Sequence, residues 1–216
     1  MGYQTPCVHV GFGLIRLAEG KMSTRKGQVI FLEDVLSEAI KQARGIIENH
    51  NLTQKDKEAI AQIVGIGAIK YTDLSQNRNK DIVFDWKKML NMQGDSAPYL
   101  QYAYVRIQSI LRKVEKDSIK ETDSKLLSAP EEINLIKYLA QFSVTIERAA
   151  NDYCPHIIAN YLFQLSQLFN SFYDKSPVLQ AKTKDLKNAR LFLCKITGQV
   201  LKTGLNLLGI DCPERM

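Results

Sequence analysis

Apolar residues recur at helical spacing along most of the chain, and the pattern differs only near its start. From Leu32 they fall at Val35/Leu36, Ala39/Ile40, Ala43 and Ile47, the three-and-four spacing that lines one face of an α-helix. This first helix is expected from Phe31 to about Asn49, where Asn49-His50-Asn51 breaks the pattern. Thr53 followed by Asp56 resembles a capping box with Asp in place of Glu. It opens a second helix with Ile60, Ile63/Val64, Gly67 and Tyr71 on one face. Gly65 and Gly67 weaken that helix intrinsically, so another helix is expected to approach closely there.

Residues 74–96 are less regular, with Ile82-Val83-Phe84 followed by Asp85 as an expected N-cap for a short helix from Trp86. Pro98 suits the first turn of a helix whose stripe is Leu100, Tyr104, Ile107, Leu111 and Val114. Residues 115–129 are polar and read as a loop. Ser128-Ala129-Pro130-Glu131 has the form of a capping box and starts a helix with the stripe Leu135, Leu139, Phe142, Ile146 and Ala149/Ala150. Pro155 opens the next, with Ile158, Leu162, Leu165, Phe169 and Phe172 inward. The last helix turns Leu191, Cys194, Leu201, Leu205 and Leu208 inward and ends at Gly209 as C-cap.

The β signal lies within residues 3–31, where His9–Ile15 and Gln28–Phe31 are short, branched or aromatic, and punctuated by Gly. Everything after them reads as helix. The expected fold is mainly α: a helix bundle preceded by a short β/loop portion.

Composition adds a partner class. Of 216 residues, 45% are hydrophobic and 24% charged, enough for a core in one large domain or two modest ones. A net charge of +6 suits an anionic partner. Nucleic acid fits better than a membrane, because no run of about 18 apolar residues is present, and no N-terminal segment has a secretory layout. The cysteines (Cys7, Cys154, Cys194, Cys212) form no C-x-x-C pair, and His9, His50 and His156 are dispersed, so no protein-bound metal is expected. Each cysteine lies in or beside an apolar segment and is expected to pack as a small hydrophobe in a reducing, cytoplasmic setting. No exposed heptad seam is visible, so a monomer is expected.

The chemistry-bearing stretch is Lys21-Met22-Ser23-Thr24-Arg25-Lys26-Gly27, between the two β-leaning runs. Cations supply charge to a phosphate, Ser and backbone N–H groups supply short hydrogen bonds, and Gly admits close backbone approach. Lys21-Met22-Ser23 begins the KMSKS motif of class I aminoacyl-tRNA synthetases. Further blocks follow in order: Gly11–Ile15, Gly20–Gly27, Val29–Asp34, Gln76–Asp85, Tyr99–Ala103, Phe169–Tyr173 and Pro213–Met216. Together they resemble the arginyl branch of that class over essentially the whole chain.

The resemblance implies a carboxyl-terminal portion of such an enzyme, since the class's HIGH signature is not in this sequence. It divides the chain into residues 1–31, a remnant of the class I nucleotide-binding catalytic domain with a KMSKS-type loop; 32–93, a helical connecting segment beneath the inside of the tRNA; and 94–216, a helical anticodon-binding domain of the DALR type. The whole enzyme would activate arginine with ATP, accompanied by Mg, and pass it to tRNA(Arg), while this portion alone would be inactive. As negative charge develops on the leaving pyrophosphate, positioned cations stabilise the transition state. Lys21, Arg25 and Lys26 are the catalytic candidates, because Thr24 stands where the motif carries its second lysine. Gly11, Phe12, Gly13, Leu14, Met22, Ser23 and Thr24 are the ATP-contacting candidates, with the small Gly side admitting a flat base. His9 is expected to be packed. For tRNA, residues off the inward stripes are favoured: Tyr102, Arg106, Asn170, Tyr173 and the terminal Met216. Tyr104, Phe169 and Phe172 are expected in the core, and Lys41, Arg44, Lys55, Lys70, Arg78 and Lys80 are candidates for phosphate contacts. The competing reading is a free-standing helical RNA-binding module derived from a synthetase.

Overall fold

The protein, as a computed structural model, is described over residues 6–17, 20–21, 31–47, 52–114, 119 and 123–216. Helix α1 (Leu32–Ile46) buries Ala39 and Ala43 completely. Helix α2 (Gln54–Leu74) starts where the sequence places it: the Thr53 hydroxyl accepts from the Asp56 N–H at 3.1 Å. The close approach at its glycines is also found. A Cβ on Gly65 would lie 2.8 Å from the α1 backbone at Ala39 and Ile40, and one on Gly67 would lie 3.0 Å from Gln101 Nε2. Two helices can pack at backbone contact only if one of them lacks a side chain at the crossing.

The strands depart from expectation. β1 (Ile15–Leu17), β2 (Gly20–Lys21) and β3 (Ile82–Phe84) form one sheet in the order β2-β1-β3. β1 is antiparallel to β2 and parallel to β3, with Ile15 opposite Ile82 and Leu17 opposite Phe84. Two corrections follow. The chain is not purely helical after residue 31, and residues 9–14 precede the strand rather than forming it. A three-residue apolar run carries no periodicity of its own, and β3 exists because the chain returns to β1. Residues 28–30 of the second expected strand lie outside the described residues.

Asp85 caps α3 (Trp86–Met89), accepting from the Lys87 and Lys88 N–H groups at 2.9 and 3.3 Å. Helix α4 (Ala97–Leu111) carries Ser96 as N-cap and Pro98 in its first turn. The single helix expected from Pro130 is two, α5 (Pro130–Leu139) and α6 (Phe142–Asn151), separated at Ala140–Gln141. The apolar stripe runs through the break without a change of face, so periodicity alone did not expose it. Its cap is also shifted by one residue. Glu132, not Glu131, reaches back to accept from the Ala129 N–H at 2.9 Å. Glu132 is 1% exposed and also accepts from Arg190 Nε at 2.6 Å, while Glu131 pairs with Lys175 on the surface. Helices α7 (His156–Lys175) and α8 (Lys184–Leu207) complete the bundle, and Gly209 follows α8 with φ +68°.

The larger core joins α4, α5, α7 and α8 around Leu100, Ile107, Leu135, Leu162, Phe169, Phe172 and Leu201. A smaller one joins α1 and α2 around Ala43, Ala61, Val64 and Ala68. Tyr104, Phe169 and Phe172 are buried as expected. Cys194 and Cys212 pack inward, and burial pushes both thiols up to about 12. Cys7 and His9 are exposed, contrary to the expectation that they pack. Among the described residues no helix is long and apolar enough to cross a membrane.

Gly65→Ala tests the α1–α2 contact. Alanine favours a helix over glycine by about 1 kcal/mol, but the atoms in the way are backbone and cannot rotate aside. The variant should lose about 2 kcal/mol of stability on urea denaturation; a gain would show that the helices separate at no cost.

Candidate nucleic-acid interface

Tyr102 and Arg106 sit one turn apart on α4, and Asn170 and Tyr173 one turn apart on α7. Where those helices pack, the four side chains meet. The Arg106 guanidinium lies 5.0 Å from the ring centre of Tyr102 and 5.0 Å from that of Tyr173. Its Nη1 donates to Asn170 Oδ1 at 2.7 Å, and Asn170 Nδ2 donates to the Tyr99 hydroxyl at 2.8 Å. The Asn170 amide is thereby used at both ends, in the only sense that pairs donor with acceptor. Tyr99 leans on Phe163, and Tyr173 on Phe169. Tyr102 and Tyr173 nevertheless remain 40% and 39% exposed. The arrangement is a rigid cation held against two aromatic faces, with ring surface open to solvent. Such a surface can stack unpaired bases and attract phosphate. Tyr99, which sequence spacing did not favour, belongs to it as the hydroxyl that orients Asn170.

Met216 lies elsewhere in the packing, half-buried against the α1–α2 core. Its tail is tied down by three contacts: Lys70 Nζ to the Gly209 carbonyl (2.5 Å), Gln101 Nε2 to that of Asp211 (2.8 Å) and Arg112 Nη1 to that of Glu214 (2.7 Å). These contacts come from α2, from α4 and from Arg112 at the end of α4.

On the nucleotide side, Lys21 ends β2, whereas Met22, Ser23, Thr24, Arg25 and Lys26 lie outside the described residues. Phe12 is 84% exposed and Leu14 54%. The Leu14 N–H donates to Asp81 Oδ1 at 2.8 Å, and Asp81 also pairs with Arg16. Gly13 corrects the sequence argument. The space a Cβ would need there is filled by the backbone of Lys80 and Asp81. Its missing side chain serves chain packing, not the approach of a base on that side.

Several candidate phosphate contacts are committed within the protein. Lys41 pairs with Glu38 at 3.5 Å, Arg44 with Glu58, and Lys70 with the Gly209 carbonyl. Arg78 is half-buried and donates to the carbonyls of Tyr153 (3.0 Å) and Gly11 (3.3 Å). Among the described residues, Lys55 and Lys80 are the members of that group left exposed with no such contact. Sequence reading could not separate Arg44, Lys70 and Arg78 from the rest, because their partners lie far away in the chain, 14, 139 and 75 positions off. No group of three or more His, Cys, Asp or Glu among the described residues could hold a metal ion.

Two family models match the chain. Residues 100–216 match the DALR anticodon binding domain, and residues 1–86 match the catalytic domain of class I (R) tRNA synthetases. The chain belongs to the arginyl-tRNA synthetase family. The arginine–tRNA ligase of Clostridium kluyveri is 46% identical over 212 residues, covering 97% of this chain and 38% of that protein. That of Fusobacterium nucleatum is 44% identical over 220 residues, covering 100% and 38%. The arginyl-tRNA synthetase of Thermus thermophilus superposes with a TM-score of 0.87 at 34% identity, covering 96% of this chain and 35% of that one. The Plasmodium falciparum synthetase superposes with a TM-score of 0.73 at 27% identity, covering 96% and 35%. The chain thus spans about 38% of the length of the curated relatives it matches.

His156, which opens α7, gives a pH test of the bundle. Burial, then the charges of Arg78 and Arg148, lowers its pKa below the usual 6.5. The folded protein therefore resists a proton that the unfolded chain accepts. The associated stability is complete above about pH 6.5 and is lost as the pH falls through that value. Urea midpoints should drop more for the wild type than for His156→Gln between about pH 7.5 and 5.5. Parallel curves would show that His156 titrates alike in both states.

Proposed function

We propose that this chain is the tRNA-reading and pyrophosphate-side portion of an arginine–tRNA ligase, a cytoplasmic enzyme that joins arginine to tRNA(Arg) at the expense of ATP. The observation that carries the reading is the Tyr102–Arg106–Tyr173 cluster with Asn170, set in the domain that matches an anticodon-binding family. The names of the relatives support the amino acid and the reaction. Unstacked anticodon bases lie on the open faces of Tyr102 and Tyr173. Arg106 supplies charge without a search for its rotamer, because the rings and Asn170 already hold it. Met216, packed against the α1–α2 core and apart from this cluster, is a second tRNA contact from the tail. Residues 1–31 carry the nucleotide side of the catalytic domain; 32–93, which the catalytic-family match enters as far as residue 86, connect and run beneath the tRNA; and 94–216 read the anticodon.

On the nucleotide side, ATP with its Mg binds as substrate beside Gly11–Leu14 and the loop from Lys21 to Thr24. Lys21, Arg25 and Lys26 meet the charge that builds on pyrophosphate as the arginine carboxylate attacks the α-phosphorus. That charge is larger in the transition state than in bound ATP, so fixed cations lower the barrier. The chain acts as a monomer, and the reaction requires the remainder of the catalytic domain.

Binding of an RNA hairpin carrying the tRNA(Arg) anticodon tests the first part. Tyr102→Ala and Tyr173→Ala should each cost about 1–3 kcal/mol of affinity, and affinity should fall steeply with salt. Unchanged binding by both variants would remove the cluster from the interface. In the enzyme with its complete catalytic domain, Arg25→Ala combined with Lys26→Ala should lower ATP–pyrophosphate exchange by about two orders of magnitude or more. Exchange at the wild-type rate would transfer the role to Lys21 alone.

A further inference from the structure

One side chain joins the nucleotide-side segment before β1 to the bundle. Arg78, in the loop after α2, donates from Nη1 to the Gly11 carbonyl at 3.3 Å. From Nε and Nη2 it donates to the carbonyls of Tyr153 (3.0 Å) and Asp152 (3.4 Å) at the end of α6, and Nη1 also reaches Asn79 Oδ1 at 3.0 Å. Both ends of this bridge are tightly built. On the strand side the Arg78 carbonyl accepts from the Gly13 N–H at 2.6 Å, and the Ile82 N–H donates to the Leu14 carbonyl at 2.9 Å. Gly13 has no room for a side chain against Lys80, so residues 11–14 and 78–82 are packed as one unit.

The bundle side carries backbone strain. Tyr153 has φ +53°. It occupies the left-handed position of a Schellman turn, with Cys154 N–H to the Ala149 carbonyl at 2.9 Å and Tyr153 N–H to that of Ala150 at 3.3 Å. Helix α8 ends in the same turn, but there the position is held by Gly209. An L side chain in this conformation is strained, and such strain persists where the surroundings over-determine it. Here the turn presents two successive carbonyls to one guanidinium fork. Pro155 then leads directly into α7, a 20-residue helix whose far end carries Asn170 and Tyr173.

We infer that Arg78 is a positioning residue through which RNA seated on the bundle is felt at Gly11–Leu14. The inference rests on the proposed RNA and nucleotide roles of those two regions. The path is continuous: Asn170 and Tyr173, the rigid length of α7, the strained turn at Asp152–Tyr153, the Arg78 fork, and the backbone from Gly11 to Leu14. The guanidinium reaches the two segments from three nitrogens spread across one plane, a breadth that the single nitrogen of a lysine ammonium does not match.

Amide hydrogen exchange on the 216-residue chain, free and saturated with the anticodon hairpin, tests it. In the wild type, hairpin binding should slow exchange across residues 8–17 by about fivefold or more. In Arg78→Lys the hairpin should bind within about twofold of wild type, but the slowing at residues 8–17 should vanish. Tyr153→Gly keeps both carbonyls and relieves the positive φ, so it should transmit as the wild type does. The inference is overturned if bound hairpin leaves residues 8–17 unchanged in the wild type, or if Arg78→Lys transmits undiminished. It is equally overturned if Tyr153→Gly alone abolishes transmission, which would place the coupling in the tyrosine ring. A lower affinity of the charge-removing Arg78→Gln, with a salt slope reduced by about one, would make Arg78 a phosphate contact instead. Absence of hairpin binding by the wild type would sink the RNA-reading assignment itself, and this inference with it.

Discussion

Helix α2 can touch its neighbours at backbone distance, and the rest of the structure depends on that contact. Gly65 admits α1, and Gly67 admits the Gln101 amide and Ile210. One turn on, Tyr71 is buried and donates its hydroxyl to Asp95 at 2.6 Å and toward the Ala159 carbonyl of α7 at 3.2 Å. Burial, followed by the charge of Asp95, raises its pKa well above the usual range, so it remains a neutral donor. Lys70 on the same helix holds the Gly209 carbonyl. A single helix therefore fixes α1, the bundle and the carboxyl-terminal tail relative to one another. Two glycines weaken such a helix by about 2 kcal/mol in isolation, and the packing they permit more than offsets that loss.

The proposed RNA surface follows a related logic, in which polar side chains are fixed before a ligand arrives. Arg106, Asn170 and Tyr99 satisfy one another, and that leaves the outer faces of Tyr102 and Tyr173 as the open chemistry. A flexible arginine would lose rotamer freedom on binding, whereas this one has lost it on folding. The same economy appears at the buried Glu132, whose carboxylate serves the Ala129 N–H and Arg190 together. Half-satisfied groups at these depths would destabilise the bundle.

Excess positive charge does not identify the cations that matter. Of the candidates on the connecting segment, Arg44 and Lys41 pair with carboxylates, and Lys70 and Arg78 hold backbone carbonyls. The structural uses of Lys70 and Arg78 join residues 139 and 75 positions apart. No local pattern separates such an arginine from a phosphate ligand.

By itself the sequence determined most helices, their caps at Thr53 and Asp85, the proline in the first turn of α4, the glycine end of α8 and the core stripes. These are local matters: they depend on periodicity and on hydrogen bonds between near neighbours in the chain. The ordered blocks from Gly11 to Met216 also made the family legible. Periodicity carried across the α5–α6 break, and the cap register slipped by one residue, because either glutamate could have served. Tertiary structure alone decided that Ile82–Phe84 is a strand, that Gly13 packs on backbone, and that Arg78 is a clamp. It also brought Tyr102 and Arg106 to Asn170 and Tyr173, across 64 positions between the arginine and the asparagine. Those features need partners that only the folded chain supplies, and a one-dimensional pattern holds no record of which distant residue will stand opposite.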